Sequence, residues 1–297
     1  MADPADGNHN EALLGVDALL PPEMAHKAEQ VGEAKAGLPG IKMFSLAVLA
    51  GAFISLGAIF ATTVTTGAAA MPYGVSRLLG GLVFSLGLIL VVVGGAELFT
   101  GNTLIVMAWA HGRVSLARLL KSWAVVYLGN LGGALATALI MFLTGQYGFA
   151  GGAVGVHALA TAQAKCSLDF TQAVALGVMC NALVCLAVWL CYGARSVTDK
   201  IMSIVFPITA FVACGFEHSV ANMYFIPIGL MIKDWAGPRF WALAGRTAAD
   251  YPALTWPSFF LDNLLPVTIG NVIGGTVLVG LAYWSVYLRG GPSQPPR

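Results

Sequence analysis

Charge is what this sequence has least of. Only 10% of its 297 residues are Asp, Glu, Lys or Arg, against 58% apolar, and mean hydropathy is +0.79. That balance excludes an ordinary soluble domain. A formal net charge of +1 leaves nothing to recruit a nucleic acid. Paired cysteines are missing too. Cys166, Cys180, Cys185, Cys191 and Cys214 form neither a disulfide framework nor a C-x-x-C motif, and four lie in or beside apolar segments, so packing is their expected role. No Gly-x-x-x-x-Gly-Lys-Ser/Thr loop exists to bind ATP. No His–Cys or His-x-x-x-His spacing points to a metal, and no cofactor is expected. No credible serine–histidine–acid arrangement exists, so no catalytic residues are expected. Neither half carries an Asn-Pro-Ala loop, which disfavours a water or glycerol channel. The polar, acidic N-terminus is not a cleavable signal, so the first apolar run is expected to stay as a spanning helix.

What is present is a series of long apolar runs. A spanning helix needs about 20 such residues. The candidates are 41–66, 76–94 continuing as 103–110, 117–143, 169–194, 201–214 continuing as 222–232, and 259–288. These make six membrane elements, the second and fifth interrupted, in an all-α integral membrane protein. Trp109, Trp123, Tyr147, Tyr192, Trp235, Trp256, Trp284 and Tyr287 sit near element ends, as an interfacial belt requires. With the N-terminus inside, ten Lys and Arg lie on the cytoplasmic side and five (Arg77, Lys165, Lys233, Arg239, Arg246) on the other. This predicts both termini in the cytoplasm. Residues 1–40 then form a cytoplasmic tail and helix, 41–289 the transmembrane domain, and 290–297 a second tail. Over 22–36, a starting proline, Glu23 in the first turn and the shared face of Met24, Ala28 and Val31 predict a helix. It would pack on the cytosolic mouth, or act as a mobile plug.

The chain repeats itself. Glu97-Leu98-Phe99-Thr100-Gly101-Asn102 interrupts the second element and Glu217-His218-Ser219-Val220-Ala221-Asn222 the fifth, each with an acid five residues before an asparagine. The helices that follow carry Gly129-Asn130-Leu131-Gly132-Gly133 and Gly270-Asn271-Val272-Ile273-Gly274, both Gly-Asn-x-x-Gly. Three elements per half is odd, so the second half must run inverted. Broken helices at matching places of inverted halves point to a midplane path. Within the breaks, Glu97 and Glu217 are expected to brace the loops by accepting the freed backbone amides, with Asn102 and Asn222. An exposed carboxylate would repel an anion. His218 sits in the break itself, titrates near neutrality and is the group a small anion would meet. Thr100 is its hydrogen-bonding candidate. Asn181 and Asn271 are either helix–helix glue or pore-facing amides. Phe84, Leu88, Leu98 and Phe211 read as core, or as a narrow apolar lining that excludes hydrated ions. Lys165, in the outer loop, would raise the local anion concentration.

These stretches, with Met71-Pro72-Tyr73-Gly74, Phe84-Ser85-Leu86-Gly87-Leu88, Tyr127-Leu128-Gly129-Asn130, Cys185-Leu186-Ala187-Val188-Trp189 and Asp262-Asn263-Leu264-Leu265-Pro266-Val267-Thr268-Ile269-Gly270-Asn271, resemble the formate/nitrite transporter family, most closely its formate channels. The similarity runs from about residue 19 to 289. The acidic tail before Ala18 has no counterpart, and Thr100 is followed by Gly101-Asn102, a form found in several branches. The resemblance implies an aquaporin-like fold of six membrane elements, assembled in the inner membrane as a homopentamer with one pore per protomer. It implies Leu98, Phe99 and Thr100 in the first broken loop and Phe84, Leu88 and Phe211 at the constrictions. His218 would be the pore histidine, Lys165 the vestibule lysine, and Asn181 and Asn271 polar groups of the path. The expected function is a formate channel, pH-dependent and proton-coupled through His218, rather than an enzyme. A cytosolic formate-metabolising enzyme is the expected partner of the N-terminal helix. Nitrite or hydrosulfide channels are the alternatives, with a membrane enzyme using Glu217 and His218 further off.

Overall fold

The computed structural model describes residues 18–290; the expected tail up to residue 17 and the segment 291–297 lie outside the described residues. Among the described residues the chain is all helical, with no strand. Helix α1 (Pro21–Ala36) begins on two prolines, and Glu23 accepts the Leu20 N–H at 2.7 Å. Its Met24, Ala25 and Ala28 pack on Met107, Trp189 and Leu288. The helix is further tied down by Lys27 Nζ donating to the Tyr192 carbonyl and Arg113 Nε donating to the buried Glu29.

Among the described residues five helices are long and apolar enough to cross a membrane. They are α2 (Gly40–Thr65), α3 (Tyr73–Gly94), α5 (Leu116–Leu143), α7 (Phe170–Gly193) and α11 (Trp256–Tyr287). Between them lie α4 (Phe99–Ala110), α6 (Ala153–Cys166), α8 (Val197–Ala213), α9 (Ser219–Trp235) and α10 (Pro238–Ala244). At about 1.5 Å per residue, α2 is roughly 39 Å long, more than the ~30 Å of a hydrocarbon core. Two tight crossings bring α2 against α5 and α7 against α11. A β-carbon at Gly133 would fall on the Val48 carbonyl, and one at Gly274 on the Val178 carbonyl. Only glycine lets the backbones approach so closely. Helix α11 is wound in π turns over Phe259–Leu264 and Gly274–Leu281.

The breaks between α3 and α4, and between α8 and α9, are built alike. Gly95 takes φ +78° and Gly215 φ +75°, which glycine adopts without strain. In each case the next amide reaches back five residues, Ala96 N–H to the Val91 carbonyl at 2.9 Å and Phe216 N–H to the Phe211 carbonyl at 3.0 Å. This is a Schellman closure of the helix end. The chain then runs extended through Leu98 or His218 into the next helix.

One expected loop is a helix. The segment before α7, read as outer loop, contains α6, whose last turn carries Lys165. Its sequence is alanine-rich rather than strongly apolar, so it fails a spanning-length criterion while keeping high helix propensity. At 14 residues it is too short to span.

Candidate functional site

A cavity of about 770 Å³ is lined from α2, α3, α6, α8 and α9, with Thr65, Arg77, His157 and Lys165 on its walls and Phe84, Phe211 and His218 among its lining. Phe84 meets Phe211 edge to face, centroids 5.7 Å apart, and Phe211 stacks on the His218 ring at 5.8 Å. Phe225, which the sequence reading passed over, stacks on Phe84 at 6.3 Å. All of these rings line the same cavity. Leu88 and Leu98 are buried but do not line the cavity. Phe99 turns away, its ring edge-on to Tyr127 at 4.9 Å and near Trp123.

His218 is only 2% exposed. It is the N-cap of α9: its Nδ1 accepts the Ala221 N–H at 3.0 Å. An accepting Nδ1 carries no proton, so the neutral ring holds its hydrogen on Nε2 and donates it to Thr100 Oγ1 at 3.0 Å. Thr100, in the first turn of α4, is held from behind: its carbonyl accepts Thr103 Oγ1 at 2.7 Å and Asn181 Nδ2 at 3.3 Å. Asn181 Nδ2 also donates to the Asn271 carbonyl at 2.7 Å, while its buried Oδ1 has no partner.

The two acids are braced, but by different donors from those expected. Glu217 accepts Lys165 Nζ at 2.7 Å, Asn222 Nδ2 at 2.6 Å and Asn263 Nδ2 at 3.3 Å. Glu97 accepts Lys35 Nζ at 2.9 Å and Asn102 Nδ2 at 2.7 Å. Their carboxylates are thus held by lysine and asparagine side chains. Freed amides go elsewhere: Phe99 N–H to Asn130 Oδ1 and Ser219 N–H to Asn271 Oδ1, both 2.9 Å. Asn271 is therefore spent on holding the loop, and neither it nor Asn181 lines the cavity. Lys165 is ion-paired, with its side chain 16% exposed and its ammonium 5.4 Å from the Phe225 ring centre. Among the described residues no group of three or more His, Cys, Asp or Glu could hold a metal.

Sequence reasoning missed Arg77, His157, Phe225, Asn263 and the pairing of Lys35 with Glu97. The last had a faint signal, since each acid stands downstream of a lysine, but separations of 62 and 52 residues are too long to read.

A family model described as formate/nitrite transporter matches residues 22–285. The chain belongs to the formate/nitrite transporter family. Within that family it is 51% identical over 273 residues to the formate channel FocA of Escherichia coli K12, covering 92% of this chain and 96% of that protein. The Haemophilus influenzae formate channel FocA is 42% identical over 274 residues, with coverages of 92% and 96%. A solved pentameric formate channel with formate bound superposes with a TM-score of 0.81 at 50% identity, covering 84% of this chain and 98% of that one. A more distant family member, solved as an FNT family ion channel, gives 0.73 at 29% identity, with coverages of 89% and 98%.

Proposed function

We propose that this protein is a formate channel of the inner membrane, assembled as a homopentamer with one path per protomer and both termini in the cytoplasm. The carrying observation is the 51% identity to a formate channel over nearly its full length, joined to a cavity lined by an aromatic ring set and the His218 imidazole. Matching hydrogen bonds at the two breaks support an inverted repeat of three and three elements, with the second and fifth broken and an aquaporin-like path between them. The face around α1 would be the cytoplasmic mouth and the surface for any cytosolic enzyme that supplies or consumes the substrate. The relatives reported above are named channels, and the Glu217 carboxylate is engaged by three other side chains, so an acid–base enzyme is disfavoured.

A bare carboxylate cannot cross the Phe84–Phe211 constriction cheaply, because burying an unpaired charge in an apolar medium costs far more than a few amides return. The arrangement separates two roles for His218. With its hydrogen on Nε2, the neutral ring can give formate a hydrogen bond, but losing that proton would leave an imidazolate. Proton coupling through the ring therefore requires prior protonation of Nδ1, which displaces the Ala221 N–H and opens the α9 cap. That link makes transport pH-dependent. Liposomes holding the purified protein should take up formate without converting it. Running nitrite, hydrosulfide and lactate alongside ranks the substrates, and absence of formate flux with strong flux of another anion would reassign the substrate.

A further inference from the structure

The walls of the 770 Å³ cavity carry three groups of fixed charge: Arg77, Lys165 and Glu217. Two of them cancel. Lys165 Nζ lies 2.7 Å from Glu217 Oε1, and the carboxylate belongs to the same cavity wall. From a few ångströms away an anion meets this pair as a dipole, whose attraction falls off much faster than that of a single charge. His157 adds no positive charge at neutral pH, because burial holds its imidazole below the usual range while Thr65 Oγ1 bonds its Nε2 at 2.9 Å.

Arg77 is differently placed. Its Nε donates to the Ala213 carbonyl at 3.0 Å and its Nη2 to the Val212 carbonyl at 2.7 Å. These are the last carbonyls of α8, which carry only the partial charge of a helix C-terminus. The guanidinium has two further N–H bonds on Nη1 and sits half-buried on the cavity wall, 5.9 Å from the Tyr73 ring centre. No carboxylate other than Glu217 lines the cavity.

We infer that Arg77, and not the paired Lys165, supplies the net positive charge that gathers the anion in the vestibule, while the same guanidinium clamps the loop leading to His218. The fork geometry explains how one side chain does both. Nε and Nη2 grip the chain just before Gly215, where a β-carbon would come within 3.1 Å of Nη2, and Nη1 keeps two more N–H bonds to donate. The inference rests on reading the chain as an anion channel. The charge of Arg77 acts on how strongly the anion is collected, and its grip on the loop acts on the maximal flux.

The test compares the parent with Arg77→Gln, Arg77→Lys and the double variant Lys165→Met/Glu217→Gln, each in liposomes, with formate flux measured against concentration at low and high salt. Arg77→Gln should raise the half-saturating formate concentration about two- to tenfold at low salt, whatever loss of the loop clamp does to the plateau, and the gap should close at high salt, where screening removes the field. Arg77→Lys should stay within about twofold of the parent. The double variant, which removes a neutral pair, should keep the parent's salt dependence whatever its plateau. That arm decides the matter even if Arg77→Gln fails to fold. Equal salt dependence in the parent and Arg77→Gln, an Arg77→Lys shift as large as that of Gln, or loss of salt dependence in the double variant would each overturn the assignment. A parent that passes no formate overturns the functional reading itself, a different result from formate flux that ignores Arg77.

Discussion

Asn130 and Asn271 make the same three hydrogen bonds, one set at each helix break. Asn130 Oδ1 accepts the Phe99 N–H at 2.9 Å, and its Nδ2 donates to the Ala47 carbonyl at 2.7 Å and the Glu97 carbonyl at 2.9 Å. Asn271 Oδ1 accepts the Ser219 N–H at 2.9 Å, and its Nδ2 donates to the Gly177 carbonyl at 2.8 Å and the Glu217 carbonyl at 2.9 Å. A broken helix strands backbone groups where no water can satisfy them. One carboxamide from the next long helix supplies both an acceptor and two donors, and it ties three elements together at that point.

Asn130→Ala and Asn271→Ala should therefore each destabilise the protein by about 3 kcal/mol, since each strands one buried N–H and two carbonyls. Asn271→Asp should be worse than Ala, because a carboxylate cannot donate to the Gly177 and Glu217 carbonyls and would face them with a charge. Thermal unfolding of the detergent-solubilised protein measures this; a melting temperature equal to the parent's in either Ala variant refutes the bracing role.

Gly133→Ala and Gly274→Ala should prevent monodisperse protein from being recovered, at a cost of about 3 kcal/mol or more. The added methyl would fall on the Val48 or Val178 carbonyl, and a helix backbone cannot step aside as a side chain can. Gly132→Ala, one residue along, meets nothing within 4 Å and should behave as the parent. Size-exclusion profiles of the three proteins distinguish a close-packed crossing from a general intolerance of alanine.

Much of this architecture is legible in the sequence wherever physics acts locally. The runs that became α2, α5, α7 and α11 have no competing signal. Glu97 and Glu217 mark the breaks because an acid five residues before an asparagine has no ordinary place in an apolar helix. Gly-Asn-x-x-Gly spells both the close crossing and its amide, although which carbonyls that amide would meet depends on helices far off in the chain. Helix α6 was hidden by its composition, too small-residue-rich to look like a span, and with it the true setting of Lys165. The lysine–glutamate pairs depend on folding across 62 and 52 residues. No spacing rule reaches that far. The placement of Arg77 against the end of α8 was invisible for the same reason.

Lys165→Met should be strongly destabilising, by about 3–5 kcal/mol, because it leaves the Glu217 carboxylate buried with only asparagine donors. Lys165→Met/Glu217→Gln should recover most of that loss, since a neutral amide can still meet Asn222 and Asn263. The same relationship should hold for Lys35 and Glu97. A double-mutant cycle on unfolding midpoints reads the coupling, and additivity of the two single changes would mean that the observed 2.7 Å contact contributes nothing.

His218 combines two functions that substitutions can separate. Its Nδ1 caps α9 through the Ala221 N–H, and its Nε2–H reaches Thr100 Oγ1. Phenylalanine removes both, so His218→Phe should lower stability by about 1 kcal/mol from the lost cap and also remove the pH dependence of formate flux. Asparagine is among the best N-caps and does not titrate. His218→Asn should therefore keep the parent's melting temperature while its flux no longer responds to pH. If the cap alone mattered, His218→Asn would transport with the parent's pH profile, and the imidazole would have no part in handling the proton. If both variants lose pH dependence while only His218→Phe loses stability, capping and titration are separate properties of one ring. Thr100→Val then tests the remaining contact. It leaves the cap intact and the Nε2–H without its acceptor, so it should change the pH response without a matching loss of the α9 cap.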